Sequence, residues 1–280
     1  MSRRREVLCE YCRTENSHQC EFYREHGITG LPGGLAEFIA VPAVNALKIN
    51  TAIENSLAAL VEPLGCVIHS SDMAGKMRTR HMINAPEPES RVRTVLICGA
   101  GPAGLLFTQY LRNVFLFEGL LIVSDPNEHK RQLAKTFGAD EAVDSREDLV
   151  ETVRERTGGK GVEYLIEASG SGAVFRSIPG LIRKQATVLL YGHGHTGTDV
   201  SVLSSIFFKE PLLVSAVGAS GGFEADGRPS TYARALNLIE QKQINVEPLI
   251  THRYGSLDEV ETALSRESRL PGFVKGVVVL

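Results

Sequence analysis

No stretch of the 280 residues sustains the run of about 18 apolar side chains that a membrane-spanning helix needs, and the amino terminus has no secretory apolar core. A membrane role and export are therefore not expected, and a cytoplasmic location is. Charge of one sign is not in excess either: 30 Lys and Arg against 33 Asp and Glu leave a net charge of -3, with one short basic run at Arg3, Arg4 and Arg5. So weak a field argues against nucleic acid or an anionic membrane as partner. Five cysteines, an odd number without a signal sequence, argue against a disulfide framework and leave metal binding or plain burial. Internal repeats and low-complexity tracts are absent as well. What remains, 43% apolar and 22% charged residues, is the composition of an ordinary globular protein long enough for two compact units.

Hydrophobic patterning points to an α/β fold. The apolar run Thr94 to Cys98, a glycine turn, a helical stretch and the run Leu120 to Ser124 closed by Asp125 make one βαβ half. The alternation continues with a helix over 130–137, a strand over 141–143, a helix over 149–156 and a strand over 162–167. A helix over 173–182 and strands over 187–191 and 212–217 follow. Six short buried strands alternating with helices predict a doubly wound parallel Rossmann sheet. Residues 77–90, with two prolines and no periodicity, read as a linker into the first strand.

Gly99-Ala-Gly101-Pro102-Ala103-Gly104 sits between a predicted strand and a predicted helix, the context that gives a glycine pattern meaning. Gly99 suits a tight turn, Gly101 leaves room for a pyrophosphate, and Gly104 allows close helix packing. The free N–H groups of the helix start, around Pro102 and Ala103, then face the phosphates. Asp125, about 20 residues on, is placed to accept hydrogen bonds from the adenosine ribose hydroxyls, which favours NAD over NADP. Nearby Lys130 and Arg131 keep NADP in consideration. The plainer alternatives are a ligand-free turn and, for Asp125, a helix cap.

Cys9-x2-Cys12-x7-Cys20 brings three thiols into one loop, one ligand short of a tetrahedral zinc site. With this lobe the chain resembles the zinc-containing medium-chain dehydrogenases of alcohols, polyols, threonine and sugars, whose structural-zinc lobe runs Cys-x2-Cys-x2-Cys-x7-Cys. Cys9, Cys12 and Cys20 match the last three of those cysteines, and the first falls at Glu6. A carboxylate can ligate zinc, so either Glu6 completes the site or the lobe carries free thiols. Gly33-Gly-Leu-Ala-Glu-Phe38-Ile-Ala-Val-Pro42 is similar to the family's glycine pair before an Ala-Glu-Tyr/Phe strand. Ala58-Ala-Leu-Val-Glu62-Pro63-Leu64 is similar to its Glu-Pro-Leu signature. Ile166 to Gly170, Tyr191-Gly192 and Ile250 to Arg253 are similar to its later segments.

The resemblance implies a Rossmann domain at 76–218, an incomplete GroES-like β-rich catalytic domain at 1–75, and a return to that domain at 219–280. It also implies Gly192 at the cofactor, Glu62 at the catalytic zinc, hydride transfer between NAD and a secondary alcohol, polyol or sugar, and a homo-oligomer, dimer or tetramer, with 212–217 at its interface. Family members carry a zinc-binding cysteine and a Gly-His-Glu motif ahead of the lobe, and this sequence starts almost at the lobe. An incomplete catalytic zinc set is therefore expected, and with it the alternative of a non-catalytic NAD-binding fragment or partner subunit. Cys66 and His69 would share a helix face, and His193 and His195 follow a strand end, but a buried thiol and polar loop residues are their simpler readings.

Overall fold

In the computed structural model, which describes residues 9–219, 222, 224 and 230–280, the run Thr94–Cys98 forms a strand (β1) with every side chain buried. Its residues alternate: Val95 and Ile97 enter one core cluster, Leu96 and Cys98 the other. Both faces of a parallel sheet are covered by helices, which is why this strand reads as one continuous apolar run.

Five further strands complete the sheet: Leu120–Ser124 (β2), Glu141–Val143 (β3), Val162–Glu167 (β4), Ile182–Leu190 (β5) and Leu212–Ser215 (β6). They pair in parallel in the order β3-β2-β1-β4-β5-β6, the order of a dinucleotide-binding sheet with its switch point between β1 and β4. Strands β2, β3 and β4 fall where the apolar runs put them. Strand β5 begins earlier than residue 187, because Ile182 pairs with Val162 before a register shift and before Gln185, which is left-handed at φ 59°. Strand β6 stops at Ser215, short of residue 217.

Helix α1 (Val61–Gly75) and helix α2 (Pro102–Gln109) pack on one sheet face; helices α3 (Glu128–Thr136), α4 (Leu149–Thr157), α5 (Gly172–Leu181) and α6 (Ser201–Ile206) follow successive strands. Helix α1 buries Leu64, Val67 and Ile68 in the same cluster as Val95 and Ile97, and each such side chain contributes about 1.5–3 kcal/mol. The later helix α7 (Ser230–Glu240) adds Ala235 and Ile239 to that cluster, and an Arg234–Asp72 ion pair at 2.6 Å ties it to α1. The chain closes with the parallel pair Ile250–Tyr254 and Lys275–Val278, bringing residues 244–277 back onto the same core.

One expected strand does not form. Residues 36–42 are irregular and Phe38 is 90% exposed. An extended segment is stable only when a neighbour accepts its backbone hydrogen bonds, and no described strand lies alongside. No helix among the described residues is long and apolar enough to cross a membrane.

Candidate functional site

The glycine loop leaves the carboxyl end of β1. Gly99 has φ +101°, and a side chain there would press on the Ser169 amide at 3.0 Å. Gly104 lies so close beneath the loop that an added Cβ would fall 1.8 Å from the Gly99 carbonyl oxygen. Gly101 is different: a Cβ there meets nothing within 4 Å. Packing explains Gly99 and Gly104; open space in front of Gly101 is what a phosphate cradle requires. Gly101 is also the N-cap of α2 without a side-chain cap, Pro102 occupies the first turn, and Gly101, Pro102 and Ala103 all remain partly exposed.

Asp125 closes β2 and is buried. Its Oδ2 accepts from the Ala100 amide at 2.8 Å and its Oδ1 from the Asn127 amide at 2.8 Å, so the carboxylate braces the glycine loop while two oxygens retain lone pairs. Arg131 is spent locally: it donates to the Asp125 carbonyl at 2.8 Å and pairs with Asp144 at 3.2 Å and with Glu128. Lys130, whose amide is capped by Asn127 at 3.1 Å, stands half-buried on the next turn. The residues present fit a pyridine dinucleotide, with the Asp125 carboxylate on the ribose side of the loop.

Across the carboxyl edge, Glu62 stands exposed on the first turn of α1, where the helix dipole favours a carboxylate. Cys66 donates its S–H to Glu62 Oε1 at 3.1 Å. Burial first, then the Glu62 charge, push the Cys66 thiol above its ordinary range. Burial, with the Glu62 and Cys66 charges behind it, likewise pushes up the phenols of Tyr191 and Tyr232. Tyr232 sits against α1 at Gly65, where a Cβ would lie 2.9 Å from its ring. Tyr191 packs edge-on against Phe107 of α2 at 5.1 Å, so one ring joins the Glu62 side to the glycine helix. Tyr232 carries no motif and was not legible as a site residue.

Gly192 follows β5 and is required by packing, since a Cβ would lie 2.3 Å from the Gly170 amide nitrogen and 2.4 Å from Glu167. Glu167 is fully buried and accepts from the Ser169 amide at 2.9 Å, the Ser169 hydroxyl and His195 Nε2 at 2.7 Å. His195 is thus committed to Glu167 rather than to open loop. His69, instead of joining Cys66 on a ligand face, is buried with its ring 4.7 Å from that of His18.

Cys9, Cys12 and Cys20 hold their sulfurs within 4.8 Å of one another, with Cys9 and Cys20 at 3.9 Å. Zinc–sulfur bonds of about 2.3 Å in a tetrahedron put sulfurs about 3.8 Å apart, so the trio fits a structural zinc. The Phe22 amide donates to Cys20 Sγ at 3.4 Å, and the amides of Cys12 and Glu21 draw the Cys9 thiol down to about 7. Glu6, the expected fourth ligand, lies outside the described residues. Among the described residues this is the one cluster of three or more metal-ligating side chains; Glu62 belongs to none. An open catalytic zinc needs about three protein ligands, which the described residues around Glu62 do not assemble.

The comparisons with known proteins bear on family and fold. A family described as "Zinc-binding dehydrogenase" matches residues 102–241, half of the 280. L-threonine 3-dehydrogenase of Shewanella loihica is 28% identical over 251 residues, 88% of this chain and 65% of that protein. The chain thus spans about two thirds of the length of the curated relatives it matches. Among solved structures, a zinc-binding dehydrogenase of Sinorhizobium meliloti 1021 bound to NADP superposes with a TM-score of 0.78 at 28% identity, covering 97% of this chain and 73% of its own. L-idonate 5-dehydrogenase of Escherichia coli shares the fold, with a TM-score of 0.78 at 21% identity over 97% of this chain and 72% of its own.

Proposed function

Because the chain belongs to the zinc-binding dehydrogenase family, we propose that it binds a pyridine dinucleotide for hydride transfer with an alcohol carbon. NAD is preferred over NADP, and the substrate class is a secondary alcohol, polyol or sugar. The observation that carries this reading is the open space before Gly101, beside an Asp125 carboxylate braced on the same loop.

In this reading the amides of the Gly99–Gly104 loop and the α2 amino end bind the pyrophosphate. Asp125 orients the adenosine ribose, Lys130 flanks it, and Gly192, packed on Gly170 and Glu167, sets the backbone after β5 along which the nicotinamide half lies. Tyr191 and Phe107 exclude water from the edge between them. The bound dinucleotide supplies the hydride acceptor or donor. Glu62, with Oε1 held by Cys66, leaves Oε2 to accept a proton from a substrate hydroxyl. Cys9, Cys12 and Cys20 hold a structural zinc that fixes their loop. Residues 76–218 then form the dinucleotide-binding domain, with 1–75 and 219–280 contributing to the substrate side. Exposed Leu213 on edge strand β6, with Val217 just beyond its end, marks that edge for self-association.

That Glu62 stands in no metal-ligating cluster favours a second reading, a dinucleotide-binding chain without turnover of its own. Calorimetric titration with NADH and NADPH, joined to NADH production on a polyol and sugar panel, tests both. NADH binding with turnover supports the first reading, NADH binding without turnover the second. Absence of heat with either dinucleotide sinks them together.

A further inference from the structure

A cavity of about 480 Å³ opens at the opposite end of the sheet from the glycine loop, lined by Arg80, His81, Arg183, Lys184, Lys209 and Glu210 among others. Its floor is the amino edge of the strands. Arg183, the second residue of β5, pairs with Glu163 at 2.5 Å, and Glu163 in turn accepts from the Thr94 amide at the start of β1. The five residues of β1 put about 16 Å between this edge and Gly99.

The lining is cationic, with one carboxylate, Glu210, which is engaged with Gln185 at 3.3 Å. Lys209 is spent on the carbonyls of Pro179 and Ile182 at 2.6 and 2.5 Å. Arg80 and Lys184 are exposed and have no ion-pair partner among the described residues. His81 is 3% exposed, and neither ring nitrogen has a hydrogen-bond partner. The Lys184 carbonyl lies near the ring without closing a hydrogen bond. Burial and the Arg183 charge favour the neutral imidazole, which has one donor and one acceptor nitrogen, and leaving both unmet is a cost an apolar residue would avoid.

We propose that this cavity is a second binding site, for a small organic phosphate held by Arg80, Arg183, Lys184 and His81. Guanidinium forks match the oxygens of a phosphate, and the ammonium of Lys184 adds charge. A monoester carrying its second proton offers both a hydroxyl donor and acceptor oxygens, so it can meet either nitrogen of a neutral imidazole, where sulfate offers acceptors alone. The volume exceeds what a bare phosphate fills, and Phe208, 84% exposed at the rim, suits an apolar or aromatic body on the ester.

Calorimetry on the full chain with inorganic phosphate and phenyl phosphate tests the proposal, alongside an Arg80→Ala/Lys184→Ala double variant checked for an unchanged melting transition. Wild type is expected to bind phenyl phosphate more tightly than inorganic phosphate, and the double variant to bind both at least about tenfold more weakly. Absence of binding by wild type overturns the site, as does an undiminished affinity in the double variant, which would put the anion at the glycine loop. Should the double variant fail to fold, His81→Phe carries the same comparison. It removes two unpartnered nitrogens from the core, so it is expected to melt higher without ligand and to gain less from phenyl phosphate; a gain equal to wild type overturns the role of His81.

Discussion

The Ala100 amide donates to Asp125 Oδ2 at 2.8 Å, so the acid that ends the second strand also holds the shape of the loop that ends the first. Removing that acceptor leaves a buried amide unpaired, at a cost of about 1–3 kcal/mol. Asp125→Ala is therefore expected to melt lower and to bind NADH about tenfold more weakly, with the preference over NADPH narrowed. Calorimetry with both dinucleotides measures the effect. Equal NADH affinity in variant and wild type would remove Asp125 from the ribose site.

Gly101 and Gly104 separate ligand space from packing space. Gly104→Ala drives a Cβ to 1.8 Å from the Gly99 carbonyl oxygen, and overpacking of this kind costs about 1–3 kcal/mol or more. Gly101→Ala meets no atom and keeps φ at -68°, which alanine adopts readily. We expect Gly101→Ala to melt within about 1 kcal/mol of wild type while losing NADH affinity, and Gly104→Ala to unfold first. Denaturant melts beside NADH titrations distinguish them, and loss of stability in both with affinity intact in both would contradict the cradle.

The five thiols divide into two groups. Cys98 is buried, with its thiol pushed up to about 12, and Cys66 is raised by burial and Glu62, so both should stay silent to alkylating reagent near neutral pH. Cys9, Cys12 and Cys20 are partly exposed and should react in metal-free protein, Cys9 first with its thiol drawn down to about 7 and Cys12, pushed up to about 12 by burial and its two neighbours, last. One equivalent of zinc is expected to protect all three together and to raise the melting temperature. Cys20→Ser should abolish that protection, as counted by mass spectrometry; protection surviving in the variant would refute a shared ion.

Acid stability carries a signature of His81. Burial and Arg183 lower its pKa, with Arg80 adding to this and Glu163 and the Lys184 carbonyl opposing it. The folded value thus lies below the unfolded one of about 6.5, so the unfolded chain takes the proton first and stability falls as pH drops through that value. His81→Phe should flatten this part of the acid limb and leave the region above pH 7 parallel to wild type. Melting temperatures between pH 5 and 8 check it, and an unchanged slope would count against a buried neutral imidazole.

Much of this protein was legible from local pattern. Short strands of three to six residues between turn signals, the glycines between Cys98 and the next helix, and the cysteine spacing each encode a constraint within a few residues, so β1, β2, β3 and β4 lie where they read. Residues 36–42 do not form the strand that the family resemblance implies, because pairing depends on a neighbour that the segment itself does not contain. The start of β5 was misplaced for a related reason: its first pairing, Ile182 with Val162, precedes a left-handed Gln185.

Chain order by itself determined that a loop of bare backbone follows the first strand and that three thiols share one turn, since both are short-range consequences of residue type. Folding alone decided that Tyr232 meets Gly65, that Glu167 claims His195, and that His81 ends up buried beside Arg183 at the cavity wall. Those partners are 167, 28 and 102 positions apart in the chain, and only the closing of a shared core fixes which distant groups must satisfy one another.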